Sequence, residues 1–363
     1  MELGFLRRLY DEPGPWVSVY LDATRRTEDA RQAINLRWRG VRADLAQRAV
    51  DERTLAAVDR AVERPPRDGA HGYVLFASRG RLAMTVRTPT PPARDAGFVG
   101  PLPHVVPLLA ALGEPVPWVR VVVDRTGADS LASPGWRPAQ ATEVVGDEQW
   151  PLRRVDAGGW LQPRFQRSAI VSWDRNAAKV AEAVVAAAER VNAETLLVAG
   201  DPYARTLLLE NLPARWAPVA LQIEGSRAPG AKPDHVDGAT AEAVQAAAER
   251  RREIELDNFS ARRASGRSRS GLDGVVDAAR KGEIATLLLP TGGVETPLWI
   301  GDAPTEVARD PADLRLGDGT SEPREVAGDA ALVRAVAATG GTLMFTEPGE
   351  LPGDIGAVLR QAA

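Results

Sequence analysis

A dense group of arginines, glycines and aromatic residues lies between Arg153 and Arg167, where the chain reads Arg-Arg-Val-Asp-Ala-Gly-Gly-Trp-Leu-Gln-Pro-Arg-Phe-Gln-Arg. Gly158 and Gly159 allow positive φ angles and close approach to another surface. A helix that starts near Pro163 would direct its free N–H groups toward an anion. The arginines of the group are Arg153, Arg154, Arg164 and Arg167. Together these features predict contact with a nucleic-acid phosphate backbone.

Two interpretations of this stretch stay open at the level of local chemistry. A glycine pair before a helix is often only a turn, and arginines on a loop are often solvated. Trp160 favours the binding interpretation, because a large aromatic side chain at the most flexible point of an exposed loop does not easily join a core. Stacking on a nucleobase or packing into a groove of a partner would explain it.

A long amphipathic helix is expected directly after this stretch. Apolar residues recur in steps of three and four and form one stripe on a helix face. The stripe consists of Phe165, Ala169, Trp173, Ala177, Val180, Val184, Ala188 and Val191. A helix that ends near Arg190 would be roughly 40 Å long, so we expect the Gly-Gly tip to protrude from its domain.

Length and composition indicate a folded protein of several domains. The 363 residues include 44% hydrophobic and 26% charged residues, which fits two or three domains, and we expect three. With no cysteine and no apolar run of membrane-spanning length, we expect a cytoplasmic protein without a membrane partner, cofactor or metal. The net charge of -4 argues against binding by bulk attraction, so RNA contact must use local basic patches and no DNA partner is expected.

The first predicted domain, residues 1–113, mixes helices and strands in an α+β arrangement. It contains a strand at Trp16 to Leu21, helical stretches up to Glu63 and a hairpin around Ser78-Arg79-Gly80. His71 and His104 stand without a positioned carboxylate or serine, so we expect structural or surface histidines and no catalytic constellation.

The second predicted domain, residues 114–258, alternates strands and helices. This alternation predicts parallel strands with helices on the sheet faces, which is an α/β fold. Gly200-Asp201-Pro202 stands at a strand-to-helix turn. Because it lacks the further glycines and the lysine of a phosphate-binding loop, we interpret it as a structural turn with an aspartate cap.

The last part of the chain is predicted as a linker, residues 259–271, and a compact α/β domain, residues 272–363. The linker has no apolar periodicity, and its arginines are equally compatible with RNA phosphates and with a solvated hinge. They are Arg262, Arg263, Arg267 and Arg269. The final domain is expected to end in a helix from about Ile355 to Gln361.

The three segments together with the Gly-Gly tip resemble the archaeo-eukaryotic class-one peptide release factor superfamily, and specifically its bacterial branch. The resemblance covers the second and third domains well and the first loosely. Its most specific pieces are Gly158-Gly159 with Arg164-Phe165 and the long helix, the turn Ala199-Gly200-Asp201-Pro202, and residues 271–279 through 286–289. In release factors the tip is Gly-Gly-Gln, and the glutamine helps direct water onto the peptidyl-tRNA ester.

This sequence departs from that tip. Trp160 stands where the family has glutamine, and Gln162 follows two residues later. Since hydrolysis needs a polar group held about 3 Å from the attacking water, a tryptophan at that place would exclude water rather than activate it. No lysine precedes Lys179, so the Asn-Ile-Lys-Ser stop-codon motif cannot be present in the first domain.

The resemblance implies three hypotheses about function. The favoured one is a hibernation factor that binds ribosomal RNA and occupies the A site and the peptidyl transferase centre without reading stop codons. The second is a peptidyl-tRNA hydrolase for ribosome rescue with Gln162 as its catalytic residue. The third is an interaction protein of the same architecture that does not meet a ribosome. Elongation factor Tu and tRNA are further partners that the resemblance suggests.

Overall fold

A computed structural model describes residues 1–24, 30–63, 71–124, 127–135, 139–145, 162–227, 230, 233–314 and 322–360. The helices in these ranges are α1 Arg7–Tyr10, α2 Ala30–Gln47, α3 Glu52–Val62, α4 Val106–Leu112, α5 Gln162–Val191, α6 Pro202–Asn211, α7 Pro233–Arg263, α8 Leu272–Arg280 and α9 Gly328–Thr339. The strands are β1 Trp16–Asp22, β2 Gly72–Ser78, β3 Arg81–Thr88, β4 Ala96–Gly100, β5 Trp118–Val123, β6 Gly127–Ser133, β7 Gln140–Val145, β8 Thr195–Gly200, β9 Ala220–Gln222, β10 Ser268–Ser270, β11 Ile284–Pro290, β12 Pro297–Ile300, β13 Val307–Ala308, β14 Arg324–Ala327, β15 Thr342–Thr346 and β16 Gly356–Leu359. They form four sheets, which confirms a mixed α/β and α+β fold.

The described residues group into two compact units: residues 1–113 with 255–363, and residues 114–254. In the first unit, strands β3-β2-β1-β4 form an antiparallel sheet. One face of β1 contributes Val17, Val19 and Leu21 to a core with α2 and α3. The other face contributes Trp16 and Tyr20 to a second core. Burial on both faces explains why β1 is apolar almost throughout.

The second core joins the two chain segments of this unit. Leu3, Leu6 and Leu9 are fully buried in the same apolar cluster as Leu332 and Val336 of α9. The backbone adds to this connection, because the N-terminal ammonium of Met1 donates a hydrogen bond of 2.6 Å to the carbonyl of Leu343. Residues 255–363 also contain the sheets β10-β16-β11-β15 and β13-β12-β14. The boundaries of the three predicted domains stay a prediction.

The second unit contains the sheet β7-β6-β5-β8-β9, in which β5, β8 and β9 are parallel and β6 and β7 are antiparallel to their neighbours. Helices α5 and α6 pack on one face, against Val119, Val121 and Val198. Parallel strands require crossover connections, and α5 and α6 supply those that lead into β8 and β9.

Two predictions for residues 259–363 are wrong. Where a helix from Ile355 to Gln361 was expected, Gly356–Leu359 form strand β16, which is paired between β10 and β11. All four residues of β16 are buried, and a strand covered on both faces has no apolar periodicity that distinguishes it from a short buried helix. The expected linker at 259–271 contains the end of α7 and strand β10. Phe259, which is 2% exposed, anchors that end of α7 in a small core.

A helix that crosses a membrane must be both long and apolar. None of the helices in the described ranges combines the two properties.

Candidate functional site

The predicted tip connects β7 to α5. Strand β7 ends at Val145 and helix α5 begins at Gln162. Arg153, Arg154, Gly158, Gly159 and Trp160 lie between these elements and outside the described residues. Gln162, Arg164 and Arg167 belong to the first two turns of α5, and their side chains lie outside the described part of the chain.

The C-terminal half of α5 is fixed on the sheet. Among the side chains that the structure describes, its buried stripe includes Asn176, Val180, Val184 and Ala188. Four members of the predicted stripe, Ala177, Val180, Val184 and Ala188, are therefore confirmed as core residues. Burial of this stripe against β5, β6 and α6 stabilises the helix far more than its intrinsic propensity does.

The N-terminal half of α5 runs past this anchored part. Asn176 and Ala177 line a small cavity with Val123 and Asp124, at the carboxyl end of β5. The 14 helical residues that precede Asn176 correspond to about 21 Å at 1.5 Å per residue. Gln162 therefore lies about 21 Å along the helix axis from Asn176.

The turn after β8 is built as the sequence predicted. Asp201 caps α6, because its Oδ1 accepts hydrogen bonds of 3.1 Å from the backbone N–H groups of Tyr203 and Ala204. Gly200 has a φ of +119°, and a Cβ atom there would lie 1.9 Å from the carbonyl oxygen of Val123. Position 200 therefore requires glycine, because the ends of β8 and β5 approach each other closely there. We interpret the turn as structural.

An ionic cluster that sequence reasoning missed lies near the end of β7, where the tip begins. The guanidinium of Arg227 lies 3.4 Å from Asp124, 3.2 Å from Asp129 and 3.9 Å from Glu143. Its side chain is 19% exposed. Asp124 also accepts a hydrogen bond of 3.0 Å from the N–H of Gly127. One arginine therefore joins the ends of β5, β6 and β7.

The arginines of the predicted linker belong to the other compact unit, at the turn between α7 and β10. Arg269 is half-buried and donates hydrogen bonds to the carbonyls of Gly266 (2.6 Å) and Ser268 (3.0 Å). Arg262 is also half-buried, whereas Arg263 and Arg267 are exposed. Arg269 thus has a structural role, and Arg263 and Arg267 are the members open to a partner.

The two histidines of the first domain occupy different environments. His71 is buried at 3% exposure. His104 is half-buried and packs against Phe98, with ring centroids 4.2 Å apart. Within the described residues no group of three or more histidine, cysteine, aspartate or glutamate side chains could hold a metal ion.

Comparison with known proteins identifies the class of this fold and site. Residues 117–265, which include β5 to α7, match the model of bacterial archaeo-eukaryotic release factor family 2. Uncharacterised proteins from two strains of Mycobacterium tuberculosis, Rv2629 in H37Rv and MT2704 in CDC 1551, are each 30% identical to the chain over 367 residues, covering 99% of it and 96% of the relative. The chain belongs to this release-factor-like family.

Solved structures with similarity include three translation-related proteins. The archaeal translation termination factor aRF1 is 14% identical with a TM-score of 0.27, covering 98% of this chain and 96% of that one. S. cerevisiae Dom34 is 11% identical with a TM-score of 0.40, covering 79% and 80%. A model of ribosome-bound archaeal Pelota with ABCE1 is 14% identical with a TM-score of 0.41, covering 99% and 94%.

Proposed function

We propose that this protein binds the ribosome and occupies the A site and the peptidyl transferase centre as a protection or hibernation factor, without reading stop codons. Membership of a release-factor-like family supports a role in translation. The observation that carries the proposal is helix α5, whose C-terminal half packs on the sheet while its N-terminal half continues about 21 Å beyond Asn176 toward the tip. Such a helix is suited to insertion of the tip into a narrow cleft.

The chemistry of the tip supports occupancy over hydrolysis. Arginines at 153, 154, 164 and 167 would hold phosphates, and Trp160 would stack on a base. The residue directly after Gly158-Gly159 is this tryptophan, which offers one N–H donor and no acceptor for positioning a water. The arginine cluster around the tip also explains how a chain with a net charge of -4 binds RNA.

One observation favours a second function. Helix α5 begins at Gln162, so this residue belongs to a helix N-terminus, where unpaired N–H groups stabilise developing negative charge. A peptidyl-tRNA hydrolase could use Gln162 to orient water at such a position. In either function the partner is the ribosome of the cytoplasm, with elongation factor Tu and tRNA as further proposed partners.

The two functions differ in what each of two nearby side chains does. Trp160 matters for ribosome binding if the tip occupies the centre, whereas Gln162 matters for the release of peptide, and not for binding, if the tip hydrolyses the ester. For an occupying tip, we expect Trp160→Ala to weaken ribosome affinity by about 1–3 kcal/mol through lost stacking, while Gln162→Ala leaves affinity nearly unchanged. Co-sedimentation with vacant 70S particles at several protein concentrations measures both. Gln166→Ala, an amide substitution one helical turn further along α5, is the matched control. The proposal fails if wild-type protein does not sediment with the particles.

The same assay tests the arginines. Arg164→Glu should weaken binding and reduce the salt dependence of log K by about one unit of slope for each lost phosphate contact. Arg190→Glu, at the opposite end of the same helix, is the charge-matched control and should leave the slope unchanged. Equal effects from the two variants would assign Arg164 to a solvated surface.

A further inference from the structure

A cavity in the first compact unit has no part in the function proposed above. It measures about 260 Å³. The end of β4 and the loop that follows form one wall, and β14 and the start of α9 form the other. Its lining includes Ser18, Phe98, Leu102, His104, Glu325 and Ala330. One water needs only about 10–15 Å³ of such volume, so the cavity admits a ring-sized ligand.

The wall that carries His104 is rigid. The N–H of His104 donates a hydrogen bond of 3.0 Å to Oγ of Ser18, and its carbonyl accepts one of 2.5 Å from the hydroxyl of Tyr20. Its imidazole ring packs on Phe98 and meets Tyr20 edge-on at 6.4 Å. These contacts fix both the backbone and the ring, so a ligand meets a preorganised surface.

The ring nitrogens of His104 are available to a ligand. Burial lowers the pKa of the imidazole below its usual range, so the ring is neutral at pH 7 and offers one donor and one acceptor. Among the described residues neither ring nitrogen of His104 has a hydrogen-bond partner. Because His104 lines the cavity, its ring nitrogens are available to bond a ligand there.

The opposite wall includes an acidic residue. Glu325 is an exposed residue of β14 that lines the cavity, and its side chain forms no hydrogen bond or ion pair with the rest of the described chain. No arginine or lysine is among the described residues that line the cavity. A phosphate or carboxylate group is disfavoured there, since its charge would face Glu325 without a compensating cation. A ligand that donates hydrogen bonds is favoured.

We propose that this cavity binds a guanine base. Guanine is the nucleobase that presents two adjacent donors on one edge, N1–H and the 2-amino group, and a carboxylate such as Glu325 can accept both. Its O6 and N7 acceptors suit the donor nitrogen of His104. Phe98, Leu102 and Ala330 line the cavity and offer apolar contact to the flat ring system. The volume lies just below the roughly 300–1,000 Å³ of pockets for drug-sized ligands, which suits one base with its sugar and phosphate outside.

Isothermal titration of the full-length chain with guanosine, inosine and adenosine tests the proposal. Inosine lacks the 2-amino group, and we expect it to bind about tenfold more weakly than guanosine because one donor to the carboxylate is lost. Glu325→Gln, at an exposed position, should weaken guanosine binding by about tenfold or more. Glu322→Gln, three residues away and also exposed, is the matched control and should keep wild-type affinity.

A second pair of ligands identifies the source of the base. A single-stranded RNA with one guanine in a uridine run is compared with the same RNA carrying adenine. If the guanine RNA binds more tightly than guanosine, and Glu325→Gln abolishes this difference, the site is assigned to RNA. If the guanine RNA and guanosine bind with equal affinity, the site is assigned to a free nucleoside or nucleotide. The proposal is overturned if neither guanosine nor the guanine RNA binds saturably, if adenosine binds as well as guanosine, or if Glu322→Gln weakens binding as much as Glu325→Gln.

Discussion

Replacement of Arg227 by leucine tests whether one side chain secures the strands from which the tip begins. In the wild type, this arginine contacts Asp124 at 3.4 Å, Asp129 at 3.2 Å and Glu143 at 3.9 Å. The leucine variant keeps an apolar side chain of moderate size but leaves three carboxylates at the ends of adjacent strands without their shared cation. Like charges in this arrangement repel one another.

The magnitude follows from exposure and distance. Exposed ion pairs contribute about 0.2–1 kcal/mol each. Asp124 is 34% exposed and Asp129 is 54% exposed, whereas Glu143 is 66% exposed and the most distant of the three. We therefore assign most of the effect to the first two pairs and expect a loss of about 1–2 kcal/mol in the free energy of local opening. Amide exchange in β6 and β7 should then accelerate by roughly 5–30-fold.

Hydrogen exchange measured by mass spectrometry on peptides from β6 and β7 provides the readout. Arg215→Leu is the matched control. Arg215 forms an ion pair with the carboxylate of Glu189, and both side chains of this pair are more than half exposed. It should change exchange in these strands little. Adding Asp129→Asn to Arg227→Leu should recover part of the loss by removing one of the repelling charges. If Arg227→Leu accelerates exchange in β6 and β7 no more than Arg215→Leu does, the cluster does not hold the strands.

Two further predictions concern the fold and its pH dependence. Gly200→Ala should destabilise residues 114–254 by about 2–4 kcal/mol, and urea unfolding measures this loss. The variant combines a positive φ with a Cβ placed 1.9 Å from a carbonyl oxygen. Burial raises the pKa of Asp329 above its ordinary value of 3.8, and the nearby carboxylate of Glu295 adds to this shift. Because the folded state binds this proton more tightly, its stabilising contribution is complete below pH 3.8 and declines as pH rises through the folded-state pKa. Asp329→Asn should therefore show a shallower loss of stability with rising pH in the same assay.

Controls for these two predictions are available in the chain. Gly113 has a φ of +68°, and no atom outside its chain neighbours lies within 4 Å of the position that an alanine Cβ would take. Gly113→Ala therefore tests backbone strain without the clash and should cost less. Equal losses for the two glycine variants would contradict the close-approach argument. Asp313→Asn, which removes a carboxylate at an exposed position, is the matched control. If Asp329→Asn alters the pH dependence of stability no more than Asp313→Asn does, the burial of Asp329 is not the cause.

The sequence predicted those parts of the structure for which neighbouring residues carry a recognisable pattern. The anchored half of α5 follows from apolar residues in steps of three and four, and the cap at Asp201 follows from residue type and position. Strand β16 has no such signal, since it is buried on both faces, and β10 consists of Ser-Arg-Ser, which forms a strand through backbone pairing with β16.

The ionic cluster could not be predicted for a different reason. Arg227 lies 103 residues from Asp124 and 98 from Asp129 along the chain, and an arginine in a loop gives no indication of which carboxylates it will meet. The cavity at His104 likewise combines residues from both segments of its unit, 1–113 and 255–363. Such sites depend on the packing of distant segments, for which sequence periodicity carries no information.

A cryo-EM map of the protein with vacant ribosomes shows directly where the tip binds. If the tip occupies the peptidyl transferase centre, the map should show the N-terminal turns of α5 entering the large subunit, with Gly158, Gly159 and Trp160 against ribosomal RNA at that centre. A complex in which this end of α5 points away from the large subunit, or a tip in contact with solvent alone, would contradict the claim.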